Sequence, residues 1–220
     1  MKILLQITTS KKISIIELIL SSGTGGGIIM ITLAILSIIA IYILIERYTA
    51  IKKASQGNDN FLISIQNFVE AKDIKAAQTL CKNTDSPISR MIEKGVNRIN
   101  KPMTDISAAI ENQGKLEVFK MENNLSNLAT ISGAAPMIGF LGTVIGMIIA
   151  FHEMASAGGN IDVEMLSKGI YTAMTTTVAG LIVGIIAFIA YNYLVSKVDK
   201  VVFMLEAKTT EFLDLLHHNE

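Results

Sequence analysis

The sequence predicts an all-α, polytopic membrane protein with three transmembrane helices. Three uncharged apolar segments carry this prediction, at residues 28–45, 128–151 and 169–195. A helix needs about 20 apolar residues to cross a bilayer, and a soluble domain rarely holds three such segments. Half of the 220 residues are hydrophobic, with only three prolines and no tryptophan. This composition suits helices dissolved in lipid more than a core folded in water.

The chain divides into seven segments that alternate between water and membrane. We predict an N-terminal periplasmic or interfacial segment (1–27), a first transmembrane helix (28–46), a cytoplasmic helical region (47–127), a second transmembrane helix (128–152), a periplasmic turn (153–168), a third transmembrane helix (169–195) and a cytoplasmic C-terminal helix (196–220). Within the first segment, residues 13–20 predict an amphipathic surface helix and residues 23–27 a glycine hinge.

The orientation follows from the distribution of basic residues. Residues 47–120 hold 12 of the 19 lysines and arginines. Because basic loops tend to stay on the cytoplasmic side, this region is predicted to be cytoplasmic. The N-terminus is then periplasmic and the C-terminus cytoplasmic.

Short helices are predicted inside the cytoplasmic region at residues 59–70, 74–82 and 87–99. Asp73 is a candidate N-cap, Pro87 fits the first turn after Ser86, and Pro102 is expected to end the third helix. A longer helical pattern begins at Asp105 and continues towards Phe151, with no proline before Pro136. It predicts a long rod, against which the C-terminal helix packs.

Small residues recur along one face of the second and third apolar segments, in steps of three or four. In lipid, such faces are where helices pack closely, because burial of apolar surface gives no net drive between helices. Pro136 sits just inside the second segment, where a missing N–H donor favours a kink. The predicted packing residues are Pro136, Gly139, Gly142, Gly146, Gly180 and Gly184.

The second and third segments contain no Asp, Glu, Lys, Arg or His. A proton relay in the membrane normally needs such a group, so this chain does not supply one there. It supplies threonine hydroxyls, which donate and accept hydrogen bonds. Threonines in membrane helices commonly bond to their own helix, and composition alone favours that for Thr175 and Thr176. Thr143 and Thr177 stand out because they lie on the small-residue faces, and the full candidate pore-lining set is Thr143, Thr177, Thr172 and Thr176.

Other classes of function find little support. The net charge of zero gives no reason to expect nucleic acid, and a single cysteine, Cys81, rules out an intrachain disulfide. One cysteine and three histidines do not form a zinc or haem motif, and no cofactor or metal is predicted. No nucleophile with a base beside it is evident, so the chain is not predicted to be an enzyme.

At four places the residues resemble a known family. The run from Ala135 to Ile148 (APMIGFLGTVIGMI), the run from Thr175 to Ile185 and the pair Tyr191-Asn192 are similar to the MotA/TolQ/ExbB proton-channel family, in its ExbB/TolQ branch. The sequence Ile45-Glu-Arg-Tyr at the end of the first helix resembles the same branch. This chain departs from the pattern at Thr172, where many members have glutamate, and at Ile186, where proline is common.

The resemblance implies a homopentameric ring in the bacterial inner membrane that surrounds a dimer of single-span ExbD/TolR-like partners. In that family the partner's aspartate carries protons, and threonines matching Thr143 and Thr177 line the pore. It further implies that proton flow drives a TonB-like or TolA-like protein, which energises TonB-dependent transport or envelope maintenance. A structural membrane scaffold without ion conduction is the alternative reading of the same helices.

Overall fold

The computed structural model describes residues 23–55, 59–156 and 163–218. All regular secondary structure in these ranges is helical, which agrees with the predicted all-α class. The described residues form seven helices: α1 (Gly23–Ser55), α2 (Asp59–Glu70), α3 (Ile74–Asn83), α4 (Pro87–Val96), α5 (Met103–Glu122), α6 (Leu125–Ser156) and α7 (Val163–His218). Within the same ranges, three helical stretches are long and apolar enough to cross a membrane: Gly26–Ser55 in α1, Met103–Ser156 across α5 and α6, and Gly169–His217 in α7.

The chain forms two compact units, and the first comprises the described residues up to Ala40 together with Thr130–Phe188. It holds the apolar parts of α1, α6 and α7. On α1, Leu33 and Ala40 are buried while Ile31 and Ile38 are exposed. Exposed isoleucines suit a helix with one face towards acyl chains.

The second unit comprises Ile41–Ala129 and Ile189–Glu220, and so contains α2 to α5. Its core consists mainly of aliphatic residues and includes two aromatic rings, Phe61 and Phe212, which are 5% and 1% exposed. At Gly95 on α4 an added Cβ would lie 2.7 Å from Ile110 Cδ1 and 2.9 Å from Phe212 Cε1. Glycine is therefore what lets α4 approach α5 and the end of α7 so closely. The predicted helical tail after residue 195 is confirmed as far as His218.

Two predicted helix starts in the second unit are confirmed in detail. The Asp73 carboxylate accepts a hydrogen bond from the Ala76 N–H at 3.0 Å. Ser86 accepts from the Ser89 N–H at 3.2 Å, and Ser89 accepts in return from the Ser86 N–H, with Pro87 in the first turn. These contacts satisfy backbone donors that have no partner within the helix.

The continuous rod predicted from Asp105 is wrong. The helix begins earlier, at Met103, and it is interrupted between Glu122 and Leu125. Asn124 has φ of 64°, in the left-handed region that asparagine enters more readily than most residues. Two consecutive asparagines thus end α5 and allow α6 to begin, although no proline or glycine marks the place.

Three other expected boundaries also differ. The glycines from Gly23 belong to α1 rather than to a hinge, since a helix once formed gains one hydrogen bond for each residue added. Helix α4 ends at Val96, before the residues 97–99 expected to extend it. Residues 153–156 and 163–168, expected in a turn, are helical. The expected surface helix at 13–20 lies outside the described residues.

Candidate functional site: the hydroxyl seam between α6 and α7

Glycines bring α6 and α7 into direct backbone contact within the first unit. A Cβ on Gly139 would lie 2.8 Å from the Thr176 carbonyl oxygen, and one on Gly180 would lie 2.5 Å from that of Ala135. A Cβ on Gly184 would meet the ring of Pro136 at 2.5 Å. Real Cβ atoms do not come this close to backbone atoms, so only glycine fits these positions.

The contact continues along both helices. A Cβ on Gly142 would overlap the side chain of Thr176, and one on Gly146 would lie 2.8 Å from Ala173 Cβ. The last contact, between Gly169 and Ala150, was not anticipated from the sequence; there the distance is 2.6 Å to Ala150 Cβ. All six predicted packing residues thus lie between α6 and α7, and α6 continues through Pro136 without interruption.

Thr143 of α6 and Thr177 of α7 meet within this contact. The Thr143 hydroxyl donates to the Ala173 carbonyl at 3.1 Å, and the Thr177 hydroxyl donates to the Gly139 carbonyl at 3.1 Å. The two hydroxyl oxygens also lie within hydrogen-bonding distance of each other. Because each hydroxyl has one proton, this bond forms when one of the two does not donate to its carbonyl. Gly139 lies four residues before Thr143, and Ala173 lies four residues before Thr177. Each hydroxyl therefore bonds to the carbonyl that lies one helical turn before the threonine of the opposite helix. The bonds therefore join the two helices reciprocally.

The other three threonines of α7 differ in their surroundings. Thr176 is 1% exposed and its hydroxyl reaches both Ala173 O, at 2.7 Å, and Gly139 O, at 3.3 Å. Thr175 bonds back to Tyr171 O at 2.8 Å, which confirms the local role expected for it. Thr172 is half-buried and lies outside this set of bonds. We call Thr143, Thr176 and Thr177, with the carbonyls of Gly139 and Ala173, the hydroxyl seam.

The seam contains donors and acceptors but no acid or base. Neither residues 128–151 nor residues 169–195 include a carboxylate, an amine, a guanidinium or an imidazole. Hydroxyls do not ionise at neutral pH, yet they orient towards a charged group and solvate it. The seam is therefore suited to hold a proton-carrying group that comes from elsewhere.

The second unit contains a buried charge cluster that was not foreseen from the sequence. Glu117 on α5 is 2% exposed and accepts hydrogen bonds from Arg90 Nη2 at 2.7 Å, Lys120 Nζ at 2.9 Å and Gln113 Nε2 at 2.8 Å. Burial pushes the pKa of Glu117 upwards, but the bonds from Arg90 and Lys120 outweigh it and the pKa is lowered. The sequence shows only the local spacings, i, i+3 for Glu117 and Lys120 and i, i+4 for Gln113 and Glu117.

The thiol of Cys81 does not add a reactive group. It is 2% exposed, and burial, with a smaller contribution from Glu93, raises its pKa to about 12. A thiol with such a pKa stays protonated and is a poor nucleophile. Among the described residues, no three His, Cys, Asp or Glu side chains cluster in a way that could hold a metal ion.

Known proteins with similar sequences match both units. A biopolymer transport protein ExbB homologue from Methanothermobacter thermautotrophicus is 28% identical over 82% of this chain and 64% of its own length. The Tol-Pal system protein TolQ of Pseudomonas aeruginosa is 23% identical over 91% of each chain. The biopolymer transport protein ExbB of Helicobacter pylori J99 is 39% identical over 36% of this chain and 54% of its own. The chain thus spans less than two thirds of two of these three relatives.

The sequence of residues 83–207 matches the sequence pattern of one protein family, and this range covers more than half of the chain. It includes α4, α5, α6 and most of α7, and therefore the whole hydroxyl seam. These relatives are named ExbB or TolQ, which is the branch that the sequence motifs resemble. The chain belongs to the MotA/TolQ/ExbB proton channel family, in its ExbB/TolQ branch.

Proposed function

We propose that this chain is a stator subunit of an inner-membrane motor driven by the proton-motive force. One observation carries the proposal: the hydroxyl seam joins two apolar segments, 128–151 and 169–195, that contain no carboxylate, amine, guanidinium or imidazole. Threonine hydroxyls also occur where membrane helices only pack, so the family of the chain is what favours a further role for these three. In a channel family, their natural role is to line the path of a proton carrier.

The carrier is an aspartate on a second protein. We propose that five copies of the chain surround a dimer of single-span ExbD/TolR-like partners, and that Thr143 and Thr177 contact the partner's carboxylate. Thr172 and Thr176 belong to the same proposed pathway. The N-terminus faces the periplasm and the C-terminus the cytoplasm, since residues 47–120 hold most of the basic side chains.

Proton movement would supply the work. One charge crossing about 100 mV releases about 2.3 kcal/mol, so a large rearrangement of the partner needs several protons. The output would pass to a TonB-like or TolA-like protein, for transport across the envelope or for its maintenance. Relatives named for biopolymer transport and for the Tol-Pal system support these two outputs.

The first test measures proton flux through the assembled complex. The chain is co-expressed with an ExbD/TolR-like protein from the same genome, purified with it and reconstituted into vesicles that contain a pH-sensitive dye. Thr177→Val removes one hydroxyl at nearly constant volume, and we expect flux to fall at least tenfold because the carboxylate loses a hydrogen-bond donor in a low-dielectric site. Thr175→Val is the matched control, since Thr175 bonds only within its own helix. Equal flux in the Thr177→Val variant and the wild type would show that Thr177 is not part of the proton pathway.

A structural scaffold is the second candidate, and one observation favours it. The hydroxyls of Thr143 and Thr177 already have partners inside the chain, so they could serve only to hold α6 against α7. A scaffold should assemble without an acidic partner and should keep its function after Thr143→Val. Vesicles with the complex should then show no flux above that of empty vesicles.

A further inference from the structure

The three hydroxyl protons of the seam outnumber the carbonyl positions open to them. A carbonyl oxygen has two lone pairs, and within a helix one of them accepts the N–H four residues later. Gly139 O and Ala173 O therefore each have one position left for a hydroxyl. Thr143, Thr176 and Thr177 all lie within reach of these two oxygens. One hydroxyl proton must point elsewhere.

Burial decides which hydroxyl keeps its bond. Thr176 is 1% exposed and its hydroxyl contacts both carbonyl oxygens, so its proton stays inside the contact. Thr143 and Thr177 are half-buried, and each has a direct hydrogen bond to the other. The surplus proton therefore belongs to Thr143 or to Thr177.

The position of the Thr176 proton selects between them. When Thr176 donates to Ala173 O, Thr177 donates to Gly139 O and the Thr143 proton is left for the Thr177 hydroxyl oxygen. When Thr176 donates to Gly139 O instead, Thr143 donates to Ala173 O and the Thr177 proton is left for the Thr143 hydroxyl oxygen. Rotation of three hydroxyls about their C–O bonds converts one arrangement into the other, and every buried carbonyl keeps its partner in both.

We infer that Thr176 is a positioning residue: by donating to one of the two carbonyls it keeps one proton of the Thr143–Thr177 pair in the bond between those two hydroxyls, from which this proton can turn to an anionic carboxylate brought into the seam. The inference rests on the proposed function, because the carboxylate belongs to the partner chain. Without the Thr176 hydroxyl, two protons face two carbonyl positions. Both would then be held inside the contact, and the seam would offer acceptors where the carboxylate needs a donor.

The test compares Thr176→Val with Thr176→Ser in the reconstituted complex. Valine keeps the shape of threonine and removes the hydroxyl, whereas serine keeps the hydroxyl. We expect Thr176→Val to lower proton flux about three- to tenfold, the worth of one hydrogen bond, and Thr176→Ser to retain at least half of the wild-type flux. Thermal unfolding of both variants is measured in parallel, and Thr176→Ala replaces valine if that variant does not assemble.

A pH profile separates positioning from packing. A donor stabilises the charged form of a carboxylate and lowers its pKa, so losing the donor should raise the pH at which flux is half-maximal. The only ionisable residues in the apolar segments of α1, α6 and α7 are tyrosines: Tyr42, Tyr171, Tyr191 and Tyr193. A variant that merely loosened the helices would lower flux at every pH without moving this midpoint.

The outcomes are distinct. An upward shift in Thr176→Val, with rescue by Thr176→Ser, supports the inference. If flux depends on Thr177 while Thr176→Val behaves like the wild type in both rate and midpoint, the inference is overturned and the proposed function stands. If Thr177→Val also leaves flux unchanged, the proposed pathway itself is wrong.

Discussion

Replacing Gly180 with alanine is expected to force α6 and α7 apart and to destabilise the first unit by about 1–3 kcal/mol, the usual cost of overpacking a close contact. The new Cβ would lie 2.5 Å from the Ala135 carbonyl oxygen and 2.9 Å from Gly139 Cα. Both are backbone atoms, so no side-chain rotation relieves the overlap. Thermal unfolding in detergent, followed by the fraction that remains monodisperse, measures the loss.

The same displacement should also reach the hydroxyl seam. Gly180 lies one turn from Thr176 and Thr177, whose hydroxyls contact Gly139 O at 3.3 and 3.1 Å. Separation of the helices by even 1 Å would take these bonds beyond hydrogen-bonding distance. We therefore expect Gly180→Ala to lose proton flux in the reconstituted complex together with stability.

Gly133 provides a matched control on α6. A Cβ added there meets nothing within 4 Å, whereas one on Gly139 of the same helix meets Thr176 O at 2.8 Å. Alanine is the better helix former by about 1 kcal/mol, so Gly133→Ala should be neutral or slightly stabilising while Gly139→Ala resembles Gly180→Ala. Equal losses in Gly133→Ala and Gly139→Ala would show that the close contact between α6 and α7 does not determine the effect.

The membrane helices could be predicted from the sequence because the signal is strong and local. Long runs without charge identify α1, α6 and α7, and the recurrence of small residues identifies the faces that meet. The break between α5 and α6 could not be predicted in this way. Asparagine is tolerated within a helix as well as in the left-handed region, so the choice at Asn124 depends on packing beyond the segment itself.

The seam was predictable in part. Periodicity placed Thr143 and Thr177 on the small-residue faces, but it did not define the offset of α6 along α7, which decides which carbonyl each hydroxyl meets. Thr176 shows the consequence. Its bond to Ala173 O is the local one favoured by composition, while its approach to Gly139 O comes from the other helix. The dual contact on which its proposed role depends is a property of the helix pair.

The buried charge cluster was invisible for a related reason. Arg90 and Glu117 are 27 residues apart, and nothing in either local pattern distinguishes them from solvated charges. Burial arises because α4 and α5 pack together, which leaves Glu117 2% exposed. A carboxylate in such a place persists only if its hydrogen bonds offset the loss of hydration.

Removing the main partner of Glu117 is the second change with a large expected effect. Arg90→Met deletes two hydrogen bonds to the carboxylate, at 3.0 and 2.7 Å, and leaves Lys120 and Gln113 to hold a buried charge. Breaking a buried ion pair from one side costs about 3–5 kcal/mol. The single cysteine, Cys81, is 2% exposed in the same unit, so its rate of labelling by a thiol reagent reports opening of that unit.

The exposed pair Lys115–Glu111 is the control for Arg90→Met. Its side chains are 70% and 65% exposed, so solvent screens the pair and Lys115→Met should change the stability little. The double variant Arg90→Met/Glu117→Leu removes the buried charge together with its partner and should recover part of the loss. If Arg90→Met and Lys115→Met change Cys81 labelling equally, the cluster around Glu117 does not stabilise the unit.

Acid provides an independent test of the same cluster. The pKa of Glu117 in the folded protein lies below its ordinary value of 4.5, so its contribution to stability is complete above that value. The contribution should be lost as the pH falls through the folded pKa, because protonation of the carboxylate breaks its bonds to Arg90 and Lys120. Arg90→Met removes the strongest interaction that lowers the pKa of Glu117, while burial continues to raise that pKa. The acid-induced loss of stability should therefore begin at a higher pH in this variant. Glu117→Gln has no titrating group at this position, so its stability should lack this component as the pH falls below 4.5.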